Sequence, residues 1–134
     1  MNSAKALDVW VVDDDASIRW VLERALKQAG LETRAFEHAD AALAALRQAA
    51  PDVLVTDIRM PGRSGLEMLE EIRAKRPRLP VIVMTAHSDL ESAVAAYKGG
   101  AFEYLPKPFD IDQAVDLVRR AAAQGQRSET TAVE

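Results

Sequence analysis

At 134 residues, with 49% hydrophobic and 28% charged side chains, the chain has the size and composition of one globular domain. A formal net charge of −4 leaves no basic footprint for nucleic acid, and the absence of cysteine removes disulfide staples and thiolate metal sites. No apolar run reaches the length of a membrane span, and Met1 to Asp8 lacks the apolar stretch of a signal peptide, so the expected setting is cytoplasmic, with no membrane partner.

Residues 1–8 read as an N-terminal extension. Val9-Trp10-Val11-Val12 is a continuous apolar run ending in Asp13, Asp14 and Asp15. Such a run, bounded by turn signals, predicts a strand buried on both faces. Ile18, Val21, Leu22, Ala25, Leu26 and Ala29 then recur at helical spacing, with Gly30 placed to end the helix. Trp20 lies off that stripe and is expected to be partly exposed. Leu31 to Phe36 alternates, which predicts a half-exposed edge strand, and Ala39 to Ala49 reads as a helix before Pro51.

Val53-Leu54-Val55 runs straight into Thr56 and Asp57, and Met60-Pro61-Gly62 breaks the chain behind them. Asp57 therefore stands where a buried strand opens into a loop. Ser64 and Glu67 have capping-box spacing ahead of Leu66, Leu69 and Ile72. Val81 to Met84 is a third fully apolar strand, ending at Thr85. Ser88 and Glu91 repeat the capping-box spacing before a helix to Lys98, with Gly99-Gly100 behind it. On that helix Leu90, Ala93, Val94 and Tyr97 form the expected core stripe. Ala95 and Ala96 leave it little polar surface, so a face including Leu90, Val94 and Tyr97 is also expected to shift or meet a partner. Ala101 to Leu105 reads as a short edge strand stopped by Pro106-Lys107-Pro108. Asp110 caps a last helix carrying Ile111, Ala114, Val115 and Val118, and residues 124–134 read as a disordered tail or a linker stump.

Five strands alternating with helices predict an α/β fold, a doubly wound parallel sheet with helices on both faces. Three strands are apolar enough to be central, and the flavodoxin-like order 2-1-3-4-5 accommodates them with right-handed crossovers. Ligands of such sheets bind beyond the carboxyl ends of the strands. Asp13, Asp14, Asp15, Asp57, Thr85 and Lys107 all fall at that edge.

Two carboxylates in contact repel by roughly 4 kcal/mol at an effective dielectric of about 20, so a proton or a cation must sit among them. Oxygen-only donors suit a hard ion, and Mg²⁺ favours a phosphate partner. A carboxylate can also act as a nucleophile and hold a phosphoryl group, a reaction governed by positioning and charge neutralisation. Mg²⁺ would bridge Asp14, Asp57 and the phosphate, with Lys107 and the Thr85 hydroxyl on the phosphoryl oxygens. His38 and His87, on loops, are read as solvated residues.

Val11-Val12-Asp13-Asp14, Asp57 with Met60-Pro61-Gly62, Thr85-Ala86 and Lys107-Pro108-Phe109, in this order, resemble the receiver domain of bacterial two-component response regulators, over residues 9–123. Ile18-Arg19-Trp20-Val21-Leu22 and Ala101 to Asp110 narrow the resemblance to the NtrC type of nitrogen regulation. The resemblance implies Asp57 as phosphoacceptor. It implies Mg²⁺ ligated by Asp14, Asp57 and the backbone carbonyl of Arg59, with Asp13 acting through water. Thr85 and Tyr104 would be the switch pair and Lys107 the phosphate-binding lysine, with a cis peptide before Pro108. Asp15 has no assigned role.

The implied partner is a sensor histidine kinase of the NtrB type, with a phosphorylation-dependent dimer as a further expectation. The implied output is a transcriptional activator whose ATPase and DNA-binding modules lie outside these residues. Phosphotransfer would be self-catalysed, so the chain is not expected to be a conventional enzyme. Two other readings compete. A Mg²⁺-dependent phosphohydrolase of the haloacid dehalogenase type would use Asp13 and Asp15 on the first strand, but the later acidic pair it needs is missing. A flavodoxin-type cofactor binder would need a phosphate loop where three carboxylates stand.

Overall fold

The computed structural model describes residues 7–133 other than His87, with side chains through Gln124. Five strands, β1 (Asp8–Val12), β2 (Glu32–Phe36), β3 (Val53–Asp57), β4 (Val81–Ala86) and β5 (Glu103–Lys107), alternate with α1 (Ala16–Gln28), α2 (Ala39–Leu46), α3 (Gly65–Lys75), α4 (Leu90–Lys98) and α5 (Ile111–Val133). All strand pairs are parallel, in the order β2-β1-β3-β4-β5. This is the expected doubly wound architecture.

Successive side chains of a strand point to opposite faces, so each central strand feeds two cores. Val9, Val11, Val53, Val55, Ile82 and Met84 pack under α1 and α5, with Leu22, Leu26, Leu117 and Val118. Trp10, Val12, Leu54, Val81 and Val83 pack under α2, α3 and α4, with Met68, Leu69 and Ile72. That is why the central strands read as unbroken apolar runs, while β2, at the edge, alternates.

Several local expectations are corrected. The β5 strand runs two residues later than expected and contains Pro106, paired with Thr85. An edge strand has a ladder on one side only, so a missing N–H is tolerated there. The α2 helix ends at Leu46, well before Pro51. The α4 helix is capped by Asp89, whose side chain accepts from Ser92 N, rather than by Ser88 with Glu91.

The expected core stripe of α4 is also corrected. Leu90, Val94 and Tyr97 are 65%, 52% and 42% exposed, and the side chains it buries are Ala93 and Ala96. Burying a large apolar side chain contributes about 1.5–3 kcal/mol. The α3 helix buries Met68, Leu69 and Ile72, whereas α4 buries two alanines, so α4 is the more weakly anchored helix. Of residues 124–134, expected as a disordered tail or linker stump, 124–133 continue α5 as helix to Val133, and Glu134 lies outside the described residues. Trp20 is exposed, as its position off the stripe predicts, and Arg24 lies over its ring. Among the described residues no helix is long and apolar enough to cross a membrane.

Candidate functional site

Parallel strands deliver their carboxyl ends to one edge, and the topology reverses between β1 and β3. At that point Asp13, Asp14 and Asp57 each offer a carboxylate oxygen, all within 4.8 Å of one another. Asp13 is fully buried and Asp57 nearly so, while Asp14 is exposed at the mouth. Lys107, from the end of β5, lies 2.8 Å from Asp13 Oδ2 and 3.3 Å from Asp57 Oδ1. The Lys107–Pro108 peptide behind it is cis.

Burial holds the Asp57 carboxyl above the ordinary value of 3.8, and the nearby Asp13 charge adds to this against the opposing pull of Lys107. Burial works against the Lys107 ammonium, but its hydrogen bond to Asp13 and the Asp13 and Asp57 charges outweigh that and raise its pKa. Three carboxylates face one ammonium, so two negative charges lack a counterpart within the cluster. A hard divalent cation matches that deficit and the oxygen-only donor set. The residues present therefore fit Mg²⁺.

Thr85 is buried at the end of β4, its hydroxyl 3.4 Å from the Ala86 carbonyl. Tyr104 is half-buried on β5, paired with Val83, and its ring meets Tyr97 edge-on at 5.7 Å. Tyr97 in turn donates to Glu103 at 2.5 Å. Partial burial and that carboxylate push the phenol up to about 12, so it stays a neutral donor. Arg59, two residues beyond Asp57, is exposed and sends its guanidinium to Asp89, the α4 cap, at 3.0 Å.

A family model, the response regulator receiver domain, matches residues 9–119. The chain belongs to the response regulator receiver domain family. The receiver is of the NtrC type: it is 62% identical over 121 residues to the DNA-binding transcriptional regulator NtrC of Salmonella typhimurium, covering 90% of this chain and 26% of that protein. It is 61% identical to the NtrC of Escherichia coli K12 over the same shares. The chain thus spans about a quarter of the length of these relatives. The solution structure of the apo receiver domain of nitrogen regulatory protein C superposes with a TM-score of 0.81 at 62% identity, covering 90% of this chain and 97% of that one. NtrX from Brucella abortus, solved with ADP, superposes at 0.91 with 35% identity, covering 96% of this chain and 30% of that one.

In this receiver domain, four of the six residues expected at this edge, Asp13, Asp14, Asp57 and Lys107, form one cluster, whereas the Thr85 hydroxyl bonds to the Ala86 carbonyl and not to a member of that cluster. Asp15 now has a role: its side chain accepts from Ser17 N and caps α1. His38 caps α2, accepting from Ala41 N, and His87 lies outside the described residues. Sequence reasoning missed Arg19, whose Nη1 donates to the Asp13 carbonyl at 2.6 Å, and Gly65, whose Cα sits against the Asp57 backbone. A glycine at the first position of a capped helix was a visible signal. Nothing in the sequence marked Arg19 apart from other helix arginines.

Proposed function

We propose that Asp57 accepts a phosphoryl group from a phosphohistidine of a sensor kinase of the NtrB type, and that the receiver then switches conformation. The observation that carries this reading is Asp57 inside an oxygen-only cluster with Lys107 between it and Asp13. A carboxylate oxygen of Asp57 attacks phosphorus, the P–N bond breaks, and the imidazole leaves with its electron pair. Hydrolysis of the acyl phosphate by water restores Asp57. The carboxylate needs no general base, and both steps are self-catalysed, so the domain is not a conventional enzyme.

Asp14, Asp57 and the Arg59 carbonyl would hold Mg²⁺, with Asp13 acting through water. When bound, the ion neutralises charge on the transferring phosphoryl group. Lys107 and the Thr85 hydroxyl bind phosphoryl oxygens, and Thr85 with Tyr104 forms the switch. The weakly anchored α4 responds, and Leu90, Val94 and Tyr97 form a partner surface for a phosphorylation-dependent dimer or an inter-domain contact. Unchanged α4 amide exchange on phosphorylation would count against that response.

The output is that of a cytoplasmic nitrogen-regulation transcriptional activator, with residues 9–123 as the regulatory unit and the segment beyond leading towards ATPase and DNA-binding modules. The domain itself contacts no nucleic acid. The phosphohydrolase reading lacks support, because it would make Asp13 the nucleophile. Asp13 is fully buried and held by Lys107 and Asp15 N, and Asp15 is committed to capping α1.

Intact mass after incubation with Mg²⁺ and acetyl phosphate tests the reading. The expected result is one labile phosphoryl adduct that requires Mg²⁺ and is absent in Asp57→Asn. An adduct that survives in Asp57→Asn would overturn the assignment.

A further inference from the structure

Every polar atom of Asp13 is engaged. Its N–H donates to the Phe36 carbonyl at 3.1 Å, and its Oδ1 accepts from Asp15 N at 2.9 Å. Its Oδ2 accepts from Lys107 at 2.8 Å. Its carbonyl accepts from Arg19 Nη1 at 2.6 Å. The first three bonds join Asp13 to β2, to the next turn and to β5. The fourth comes from α1, where Arg19 sits one turn beyond the Asp15 cap and donates its own N–H to the Asp15 carbonyl at 3.1 Å.

The Asp13 carbonyl belongs to the same planar peptide as the Asp14 N–H. Holding that oxygen holds the plane from which the Asp14 backbone departs. Asp14 lies beyond the end of β1 and is exposed, so the strand ladder does not fix it. A half-buried, charge-assisted guanidinium bond is a strong way to fix that plane from a rigid helix.

We propose that Arg19 is a positioning residue for cation binding: by clamping the Asp13–Asp14 peptide to α1 it aims the Asp14 carboxylate into the acid cluster. The proposal rests on the Mg²⁺ reading of that cluster.

Two effects of Arg19 have opposite sign. Its positive charge, by Coulomb's law alone, weakens cation binding, so removing the charge should tighten Mg²⁺. Its clamp strengthens binding: losing an outer partner bonded directly to a metal ligand lowers affinity by about 10- to 100-fold, and Arg19 acts on Asp14 through the shared peptide, so the lower end of that range applies. Asp14 is exposed at the mouth of the site, so solvent and salt screen the effect of the Arg19 charge there, and the clamp should prevail. A merely structural Arg19 would lower thermal stability and leave the affinity unchanged.

The experiment is calorimetric Mg²⁺ titration of the wild-type chain, Arg19→Gln and Arg19→Lys, with thermal melts in chelator alongside. Gln removes the charge, and Lys keeps the charge but loses the planar donor. The expected result is a Kd raised about tenfold or more in both. In acetyl phosphate labelling, the Mg²⁺ concentration for half-maximal rate should rise while the rate at saturating Mg²⁺ stays within about twofold of wild type. Either folded variant binding Mg²⁺ as tightly as wild type, or more tightly, would overturn the proposal. A wild-type chain that binds no Mg²⁺ would instead overturn the metal reading beneath it.

Discussion

Gly65→Ala sets two physical rules against each other. Gly65 is the first residue of α3, directly after the Ser64 cap. Helix propensity favours alanine over glycine by about 1 kcal/mol, part of it through the unfolded chain, so propensity alone predicts stabilisation. The structure predicts the reverse. A Cβ at position 65 would lie 2.2 Å from the Asp57 carbonyl oxygen and 2.9 Å from Ile58 Cα. Both are backbone atoms, so no side chain can rotate away. Relief requires α3 and the end of β3 to separate by about 1 Å, since carbon and oxygen tolerate roughly 3.2 Å. Separation also stretches the 2.8 Å bond from Gly65 N to the Ile58 carbonyl.

Overpacking costs about 1–3 kcal/mol and the weakened hydrogen bond about 1 kcal/mol. Against the propensity gain, the net expectation is a loss of about 1–3 kcal/mol. Urea unfolding checks the stability. Acetyl phosphate labelling checks the function, because the moving atoms belong to Asp57, the residue proposed to accept the phosphoryl group. A misplacement of about 1 Å can slow a positioned reaction by about 100-fold. A Gly65→Ala protein as stable as wild type, labelled at the wild-type rate, would show that α3 approaches Asp57 less closely than described and that Gly65 is not a spacer.

Three further outcomes follow from the same geometry. Asp57→Asn removes a carboxylate that burial and Asp13 disfavour, so in chelator it should melt higher than wild type, by about 3–6 °C for each kcal/mol gained. Because the Asp57 pKa is raised, its penalty to the fold is absent below the unfolded value of 3.8 and grows as pH rises through the folded value. The melting difference should therefore close on acidification towards pH 4, and a gap independent of pH would refute the cause. Lys107→Ala leaves Asp13 buried beside Asp57 without its ammonium. The expected loss is about 3 kcal/mol in chelator, the lower end of the range because Lys107 is 24% exposed, and Mg²⁺ should recover more stability than in wild type. Asp89→Ala removes both the α4 cap and the partner of Arg59, which should cost about 1 kcal/mol. Amide exchange should quicken in α4 first, and uniform quickening across the domain would contradict its weak anchoring.

The order of the sheet was legible because burial leaves a mark on composition. A strand covered on both faces, such as β3 or β4, has no polar alternation, and an edge strand such as β2 keeps it. The acid cluster was legible for a related reason. A carboxylate that directly follows an unbroken apolar run has only the strand's end to occupy, and parallel pairing brings those ends together. Arg19 was hidden because its partner is a backbone atom, the Asp13 carbonyl, and a carbonyl carries no sequence signature; at Gly65 the glycine itself was a visible signal, but the Asp57 carbonyl it meets was not.

The α4 helix shows where periodicity stops. Ser88 and Asp89 are both able to cap, with Glu91 and Ser92 at the matching offsets, and local sequence does not choose between them. The choice falls to Asp89, where Arg59, 30 residues earlier, meets it across the edge of the sheet. Periodicity likewise finds a stripe on the helix but not its direction. Leu90, Val94 and Tyr97 make the more apolar stripe, yet Ala93 and Ala96 face inward. The reason lies in the space available. At Gly99, one turn past Ala96, a Cβ would already lie 3.2 Å from Leu69 Cδ2 of α3, so the end of α4 passes close to its neighbour. Small residues three apart permit that approach, and a leucine or tyrosine on the same face would force the helix away. The large side chains are left outward, with Tyr97 tied to Glu103 and stacked edge-on against Tyr104. The residue proposed to sense the switch is thus packed against the exposed stripe of a helix anchored more weakly than α3. If Tyr104 moves as proposed, this contact would carry the change to that surface without repacking either core.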